Sequence, residues 1–114
     1  MSDCLFCKIV AKEIPGKIVL ENEHVVAFRD IHPAAPTHVL VVPRKHVLSL
    51  AEASDDDAML LGRLMLAARD VAKQEGLSEK GFRIAINNGA GVGQSVFHLH
   101  LHVLGGRAMS WPPG

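Results

Sequence analysis

The segment most informative about the architecture spans residues 98–104 and reads His98-Leu99-His100-Leu101-His102-Val103-Leu104. Histidines alternate with apolar residues, and a period of two is the period of a β-strand. We therefore predict a strand over residues 95–104 whose three imidazoles share one face. The opposite face, which we expect to pack in the core, carries Phe97, Leu99, Leu101 and Val103.

The spacing along such a strand limits what the three rings can do together. Alternate residues lie roughly 6.8 Å apart, which places His98 and His102 about 13–14 Å apart at Cα. Zinc–nitrogen bonds are only about 2.0–2.1 Å long. A single metal ion held by all three rings is therefore disfavoured, and we expect the histidines to have separate roles. The alternative is a set of structural histidines satisfied by hydrogen bonds.

Composition and charge bound the class of protein. The chain has 114 residues, is 48% hydrophobic, and carries 12 Lys and Arg against 12 Asp and Glu. We expect one domain over 1–114 with a C-terminal tail over 105–114. Zero net charge argues against nucleic acid or an anionic membrane held by bulk charge. The N-terminus, Met1-Ser2-Asp3-Cys4, has no basic region, and no apolar run is long enough to span a membrane, so a cytoplasmic protein is expected.

The other elements follow from periodicity and turn residues. We predict a short helix over 5–14, a hairpin of strands 17–21 and 24–29, and strands over 38–42 and 82–87. A long helix should begin after Ser54 and stop at Gly76. Its core stripe comprises Leu60, Leu61, Leu64, Met65, Ala68, Val71 and Ala72. Tight turns favour antiparallel pairing, so the predicted fold is α+β: an antiparallel sheet, one long amphipathic helix and a short N-terminal helix.

A glycine-rich turn precedes the histidine segment and reads Asn87-Asn88-Gly89-Ala90-Gly91-Val92-Gly93-Gln94-Ser95. Glycines let backbone N–H groups approach a phosphate closely. The turn fits neither common phosphate-loop motif, because each requires a following helix. A flexible hairpin turn is the alternative. Beside three imidazoles, however, phosphate-binding amides indicate phosphoryl chemistry with a histidine nucleophile.

These motifs resemble the histidine-triad family of nucleotide hydrolases and transferases, whose signature is His-x-His-x-His followed by apolar residues. Further similarities lie at Asp30-Ile31, Ala35-Pro36-Thr37-His38, Val42-Pro43 and Gly93-Gln94-Ser95-Val96. The ending, from Leu104-Gly105-Gly106-Arg107 to Trp111-Pro112-Pro113-Gly114, is similar to the Hint branch, the adenosine 5′-monophosphoramidases. The resemblance covers nearly the whole chain and implies the histidine-triad fold.

The resemblance also implies a reaction. His100 would attack the α-phosphorus of an AMP-linked substrate and form a nucleotidyl-histidine, which water would hydrolyse. His102 would hydrogen-bond the phosphate oxygens, His98 would orient the strand, and His38 would support the ring of His100. Ser95 would lie near the phosphate and the leaving group. No cofactor is expected for catalysis, because histidine supplies the nucleophile.

Nucleotide binding is implied for a further set of residues. Asp30 would accept hydrogen bonds from the ribose hydroxyls, and Asn87 would face the phosphate or the ribose. With the residues above, the implied nucleotide-binding set is Asp30, Ile31, Asn87, Gly93, Gln94, Ser95, His100 and His102. The bound substrate would be a purine nucleotide conjugate.

Cys4 and Cys7 form a CxxC motif with no strand ahead of it, unlike a thioredoxin-type motif. Zinc needs two more ligands, for which His46 and His98 are candidates. Some bacterial members of the wider family look similar, whereas the best-known eukaryotic Hint proteins lack this motif. We hypothesise a structural zinc at Cys4, Cys7, His46 and His98. The alternative is a pair of thiols without metal.

Trp111 is the only tryptophan and lies in the Pro-rich tail, where a large aromatic is unusual unless it docks. The resemblance implies a homodimer in which each tail reaches the partner's site. We expect this tail to influence leaving-group preference. Two other readings stay open: a dinucleoside polyphosphate hydrolase or nucleotidyl transferase of the same superfamily, and a zinc-stabilised nucleotide-binding scaffold without turnover.

Overall fold

A computed structural model describes residues 3–114, so Met1 and Ser2 of the N-terminal sequence lie outside the described residues. The helices are α1 (Leu5–Val10) and α2 (Ala58–Gln74), and the strands are β1 (Ile18–Glu21), β2 (Val25–Arg29), β3 (Thr37–Pro43), β4 (Phe82–Ala85) and β5 (Leu101–Gly105). Single 3₁₀ turns occur at Leu50–Glu52, Asp55–Asp57 and Ala90–Val92.

The five strands form one sheet in the order β1-β2-β3-β5-β4, and every neighbouring pair is antiparallel. Helix α2 covers one face, with Leu64, Ala68 and Val71 in its core. Helix α1 covers the other face, where Phe6 and Ile9 pack against β2 and β3. The predicted α+β fold, with one long helix and one short N-terminal helix, is confirmed. Within residues 3–114, no helix is long and apolar enough to cross a membrane.

Strand β5 is shorter than predicted. It begins at Leu101 rather than at residue 95, so His98 and His100 precede the strand and only His102 lies on it. Its ladder with β3 ends at the pair Val41–Leu101, because the next partner of β3 on that side is Pro43, which has no N–H to donate. Leu99, Leu101 and Val103 do enter the core, but Phe97 is exposed because it lies in the irregular segment.

Helix α2 starts and stops near the predicted residues. The N–H of Ser54 donates to Asp57 Oδ2 at 3.0 Å, and a 3₁₀ turn leads into the helix. At the other end, Gly76 has φ +75°, which glycine adopts without strain, and the N–H of Leu77 returns to the carbonyl of Ala72 at 2.8 Å. The predicted core position Met65 is wrong, since that side chain is 50% exposed.

Helix α1 ends four residues earlier than predicted. Lys12 has φ +62°, a left-handed conformation that stops the helix before the Pro15-Gly16 pair is reached. The segment between Ala11 and Lys17 therefore forms an irregular rim beside the sheet. This rim and α1 together form one side of the cavity described below.

Candidate active site

His100 is held in one tautomer by its own segment. Its Nδ1 lies 2.8 Å from the carbonyl oxygen of His98, and because a carbonyl only accepts, Nδ1 carries the proton. The other ring nitrogen, Nε2, is then left with a lone pair. Burial lowers the pKa of His100, which favours the neutral ring at pH 7. A neutral imidazole with a bare Nε2 is the form that acts as a nucleophile.

His102 is oriented by His38. The N–H of Ala34 donates to His38 Nδ1 at 3.0 Å, so the proton of the neutral His38 ring is on Nε2. That Nε2–H lies 2.8 Å from His102 Nδ1, which must therefore accept. The proton of neutral His102 is then on its own Nε2, which is buried and is the one buried side-chain nitrogen or oxygen without a partner among residues 3–114. The network leaves a hydrogen-bond donor unused beside His100.

This arrangement corrects one expected contact. His38 bonds to His102 and not to His100, whose Nδ1 donates to the His98 carbonyl. The centroids of the His100 and His102 rings are 4.9 Å apart, so both rings can contact the same group of a bound ligand. Burial, with His100 and His38 as neighbours, lowers the pKa of His102 to about 4.

A cavity of about 890 Å³ opens in front of these rings. Its polar lining residues are His100, His102, Ser95 and Asp30, together with Lys17, Arg29 and His32. Its remaining wall is largely apolar and comes from α1, β2, β3 and the rim after α1; the lining includes Leu5, Phe6, Ile9, Ile14, Phe28 and Leu40. A cleft with an apolar body and a few convergent polar groups is typical of a small-molecule site.

Five of the eight predicted nucleotide-binding residues line this cavity: Asp30, Ile31, Ser95, His100 and His102. Asp30 Oδ1 accepts the N–H of His32 at 2.8 Å, and its Oδ2 lies 3.4 Å from His38 Nε2. Its carboxylate therefore lies between the loop after β2 and the His38–His102 pair. The side chain is 20% exposed, which leaves it accessible from the cavity.

The other three predicted residues, Asn87, Gly93 and Gln94, are not among the cavity lining. The Gln94 side chain is buried and holds the loop together: its Oε1 accepts the N–H of Gly89 at 2.8 Å, and its Nε2 donates to the Leu48 carbonyl at 2.9 Å. Asn87 lies beside Gly93, whose φ of +105° suits glycine. In this structure Gln94 shapes the loop that presents Ser95 to the cavity.

Next to the cavity, Cys4, Cys7, His46 and His98 form a cluster, which we call the Cys/His cluster. Their ligand atoms all lie within 4.8 Å of one another. His98 Nδ1 lies 3.4 Å from Cys4 Sγ and 3.2 Å from His46 Nδ1, and Cys7 Sγ lies 3.3 Å from His46 Nδ1. Tetrahedral zinc would place sulfur and nitrogen ligands about 3.5 Å apart and two nitrogens about 3.3 Å apart.

The tautomer of His98 agrees with metal binding. Its Nε2 lies 2.8 Å from the carbonyl oxygen of Pro43, so Nε2 carries the proton and Nδ1 has a lone pair aimed at the cluster. Two sulfurs and two nitrogens with this spacing fit a closed, four-coordinate zinc site. The residues predicted for the metal are thus brought together from α1, the loop after β3 and the segment before β5.

Asp30, His38 and His102 also lie within metal-ligating distance of each other. However, the 2.8 Å between His38 Nε2 and His102 Nδ1 is a hydrogen-bond distance, shorter than the roughly 3.3 Å between two nitrogens on one zinc ion. This group is better described as a hydrogen-bonded network.

Sequence reasoning missed Phe6. Its ring is almost perpendicular to that of His100, with centroids 5.0 Å apart and an interplanar angle of 89°, and it also meets His98 at 6.1 Å. Its place between two cysteines in a short apolar helix gave no sign of contact with residues more than 90 positions later. Only the packing of α1 on the sheet brings it to the histidines.

The tail is tied to the body by two arginines. Arg83 Nη2 donates to the carbonyl of Ser110 at 2.9 Å, and its guanidinium lies 5.8 Å from the centre of the Trp111 ring. Arg107 donates to the carbonyl of Ala34 through Nε and Nη2. Trp111 is nevertheless 79% exposed and is not part of the cavity lining of its own chain.

Comparison with known proteins agrees with the fold. The family model of the HIT domain matches residues 11–109, and the chain belongs to this family. It is 51% identical to the 14 kDa zinc-binding protein of Zea mays, covering 99% of this chain and 89% of the relative. It is 50% identical to adenylylsulfatase HINT1 of Arabidopsis thaliana, covering 99% and 78%.

Among solved structures, a HIT family hydrolase from Legionella pneumophila superposes with a TM-score of 0.96 at 51% identity, covering 98% of this chain and all of the other. The predicted resemblance to the histidine-triad family is therefore confirmed.

Proposed function

We propose that this protein is a hydrolase that releases AMP from AMP-linked substrates, with phosphoramidates and acyl adenylates as the substrate class. The observation that carries the proposal is the pair of fixed tautomers. The His98 carbonyl leaves a lone pair on His100 Nε2, and the His38 contact leaves a donor on His102 Nε2. Both rings line one cavity large enough for a nucleotide. The similarity to HIT family hydrolases supports the reaction class.

In the proposed first step, the lone pair of His100 Nε2 bonds to the α-phosphorus while the bond from phosphorus to the amine breaks. The amine takes up a proton from the solvent as it leaves. In the second step water adds to the phosphorus, releases one proton and frees His100, so one substrate and one water give AMP and the amine. We propose that the His102 Nε2–H, which has no partner among the described residues, donates to a phosphate oxygen, where a preorganised donor stabilises developing charge.

The cavity lining supports three of the remaining roles: Asp30 is proposed to accept the ribose hydroxyls beside Ile31, with Ser95 near the leaving group. Asn87, Gly93 and Gln94 lie outside that lining, and we propose that they complete the nucleotide site through the loop that presents Ser95. The apolar wall suits a purine base. We also propose that the protein is a cytoplasmic homodimer with Trp111 near the partner's site. The zinc expected at the Cys/His cluster would fix local structure, and the proposed chemistry does not pass through it.

The test is trapping of the intermediate. Protein mixed with an AMP phosphoramidate and quenched within milliseconds should gain the mass of one adenylyl group, and His100→Ala should not. His24→Ala, a surface histidine outside the site, serves as the matched control and should behave as wild type. Unchanged turnover in His100→Ala would refute the histidine nucleophile.

A second candidate substrate deserves the same assay. One relative is named an adenylylsulfatase, so adenylyl sulfate is a natural competitor substrate. The ratio of kcat/KM for the phosphoramidate and for adenylyl sulfate would rank the two leaving groups. A dinucleoside polyphosphate included in the same series tests the transferase and polyphosphate alternatives. Absence of turnover on all three, with AMP still bound, would favour a nucleotide-binding scaffold.

A further inference from the structure

We propose that metal bound at the Cys/His cluster holds α1 in place as the wall of the cavity and steadies the ring of His100, so that the zinc-free protein binds AMP more weakly. The identity of AMP as the ligand rests on the proposed function. The effect of metal on α1 does not.

Helix α1 has too few residues to be stable alone. It spans only Leu5–Val10, and isolated helices shorter than about 12–15 residues are marginal in water. Its start is built on the cluster: Cys4 is its N-cap residue, and the N–H of Cys7 lies 3.4 Å from Cys4 Sγ. A metal joining Cys4 and Cys7 to His46 and His98 would fasten this first turn to two other segments of the fold.

The same helix forms part of the cavity. Leu5, Phe6 and Ile9 all line it. These cavity-lining residues therefore lie on both sides of Cys7 in a helix that has Cys4 as its N-cap. Release of the first turn would displace this wall, and a displaced wall removes apolar contact area from any ligand.

Two further contacts lead from the cluster to His100. The carbonyl of His98 accepts the Nδ1–H of His100, so a ligand of the metal also fixes the tautomer of that ring. Phe6 is packed edge-on against the rings of both His98 and His100. Phe6 is a positioning residue in this proposal, since it acts on His100 through packing.

The loop that carries His46 adds a route to the glycine-rich turn. The carbonyl of Val47 accepts the N–H of Leu99 at 2.7 Å, and the carbonyl of Leu48 accepts Gln94 Nε2 at 2.9 Å. The first bond joins the residue after His46 to the chain between His98 and His100, and the second joins Leu48 to the loop that presents Ser95. The cluster is thus in direct contact with α1 and His100 and is connected to the glycine-rich turn through Val47 and Leu48.

The experiment compares zinc-loaded wild type, wild type stripped with a chelator, Cys7→Ser, and His24→Ser as a histidine control outside the cluster. Zinc content is measured by elemental analysis, AMP affinity by calorimetry, and amide exchange over residues 4–10 by mass spectrometry. We expect AMP to bind at least tenfold more weakly, and α1 to exchange faster, in the stripped protein and in Cys7→Ser. Added zinc should restore the stripped wild type but not Cys7→Ser.

An AMP affinity within twofold for loaded and stripped protein, or unchanged exchange in α1, would overturn the proposal, as would wild type that binds no zinc. If AMP binds to neither form, the proposed function fails. The exchange data then decide separately whether metal holds α1. Because stripping uses the wild-type chain, a folding defect in Cys7→Ser does not prevent the decision.

Discussion

At the scale of single residues, the site depends on which nitrogen of each buried histidine carries the proton. Two backbone groups, the His98 carbonyl and the Ala34 N–H, determine the tautomers of His100 and His38. Because the Nε2–H of His38 donates to His102 Nδ1, this hydrogen bond also determines the tautomer of His102. One ring in the cavity is thereby left with a lone pair and its neighbour with a proton. In the proposed reaction, the first ring attacks the phosphorus and the second donates to a phosphate oxygen, without either ring being charged.

Substituting His38 tests this description. In His38→Ala, His102 Nδ1 loses its donor, so the proton of His102 is no longer confined to Nε2. We expect hydrolysis of an AMP phosphoramidate to slow about tenfold, the equivalent of one hydrogen bond of about 1.4 kcal/mol. Single-turnover kinetics would measure it, with His24→Ala as the control. An unchanged rate would mean that His38 does not orient His102.

At the scale of elements, close packing at the end of β5 constrains one residue strongly. A Cβ added at Gly105 would lie 2.6 Å from Leu77 Cδ1, just beyond α2. Gly105 also ends the strand that bears His102, opposite Thr37 of β3 and Phe82 of β4. The absence of a side chain there lets the segment after α2 pack directly on the sheet.

We expect Gly105→Ala to lower the free energy of unfolding by about 1–3 kcal/mol, because Leu77 must move from its packed position. Gly62→Ala is the matched control: Gly62 lies in α2 with nothing within 4 Å of the added Cβ, and alanine should stabilise the helix by up to about 1 kcal/mol. Urea unfolding would measure both. Equal changes in the free energy of unfolding for the two substitutions would show that Leu77 moves away from the added Cβ without destabilising the protein.

At the scale of the whole molecule, buried neutral imidazoles make stability depend on pH. Burial lowers the pKa of both His38 and His102, the latter to about 4. Below pH 6.5 the unfolded chain therefore binds protons that the folded chain does not. The contribution of these rings to the free energy of unfolding is fully present above about pH 6.5. It is lost as the pH falls through 6 and 5 towards 4.

We expect the free energy of unfolding to decrease between pH 7.5 and pH 4.5, by up to about 3 kcal/mol from His102 alone, with partial solvent access reducing this value. Urea titrations at several pH values would measure it, with a chelator present throughout so that metal loss contributes nothing. His102→Phe should flatten the curve. A stability that rises on acidification would contradict the assignment of neutral rings.

The tail is also a property of the assembled molecule. Hydrogen bonds from two arginines attach the tail to the rest of the chain: Arg83 donates to the Ser110 carbonyl, and Arg107 donates to the Ala34 carbonyl. Trp111 nevertheless remains exposed on its own chain. We expect a chain truncated after Arg107 to change the ratio of kcat/KM between phosphoramidates with different amines. Sedimentation analysis would report the oligomeric state in parallel. Full retention of rate and preference would remove the tail from substrate selection.

Local sequence patterns were sufficient to predict much of the secondary structure and the fold class of this protein. Period-two and helical periodicity, the Ser54 start and the Gly76 stop predicted the sheet, α2 and the α+β class, because these features depend on neighbouring residues. The cysteine and histidine motifs, read with the family resemblance, predicted all four residues of the Cys/His cluster and five of the eight expected cavity residues.

Long-range packing decided the rest. Pro43 ended the ladder with β5 and released His98 and His100 from the predicted strand, which no pattern around residue 98 could show. The tautomers depend on Ala34, His38 and the His98 carbonyl meeting in space. The contact of Phe6 with His100 depends on α1 covering the sheet. Such contacts join residues far apart in the chain, and only tertiary structure brings their hydrogen-bonding and packing partners together.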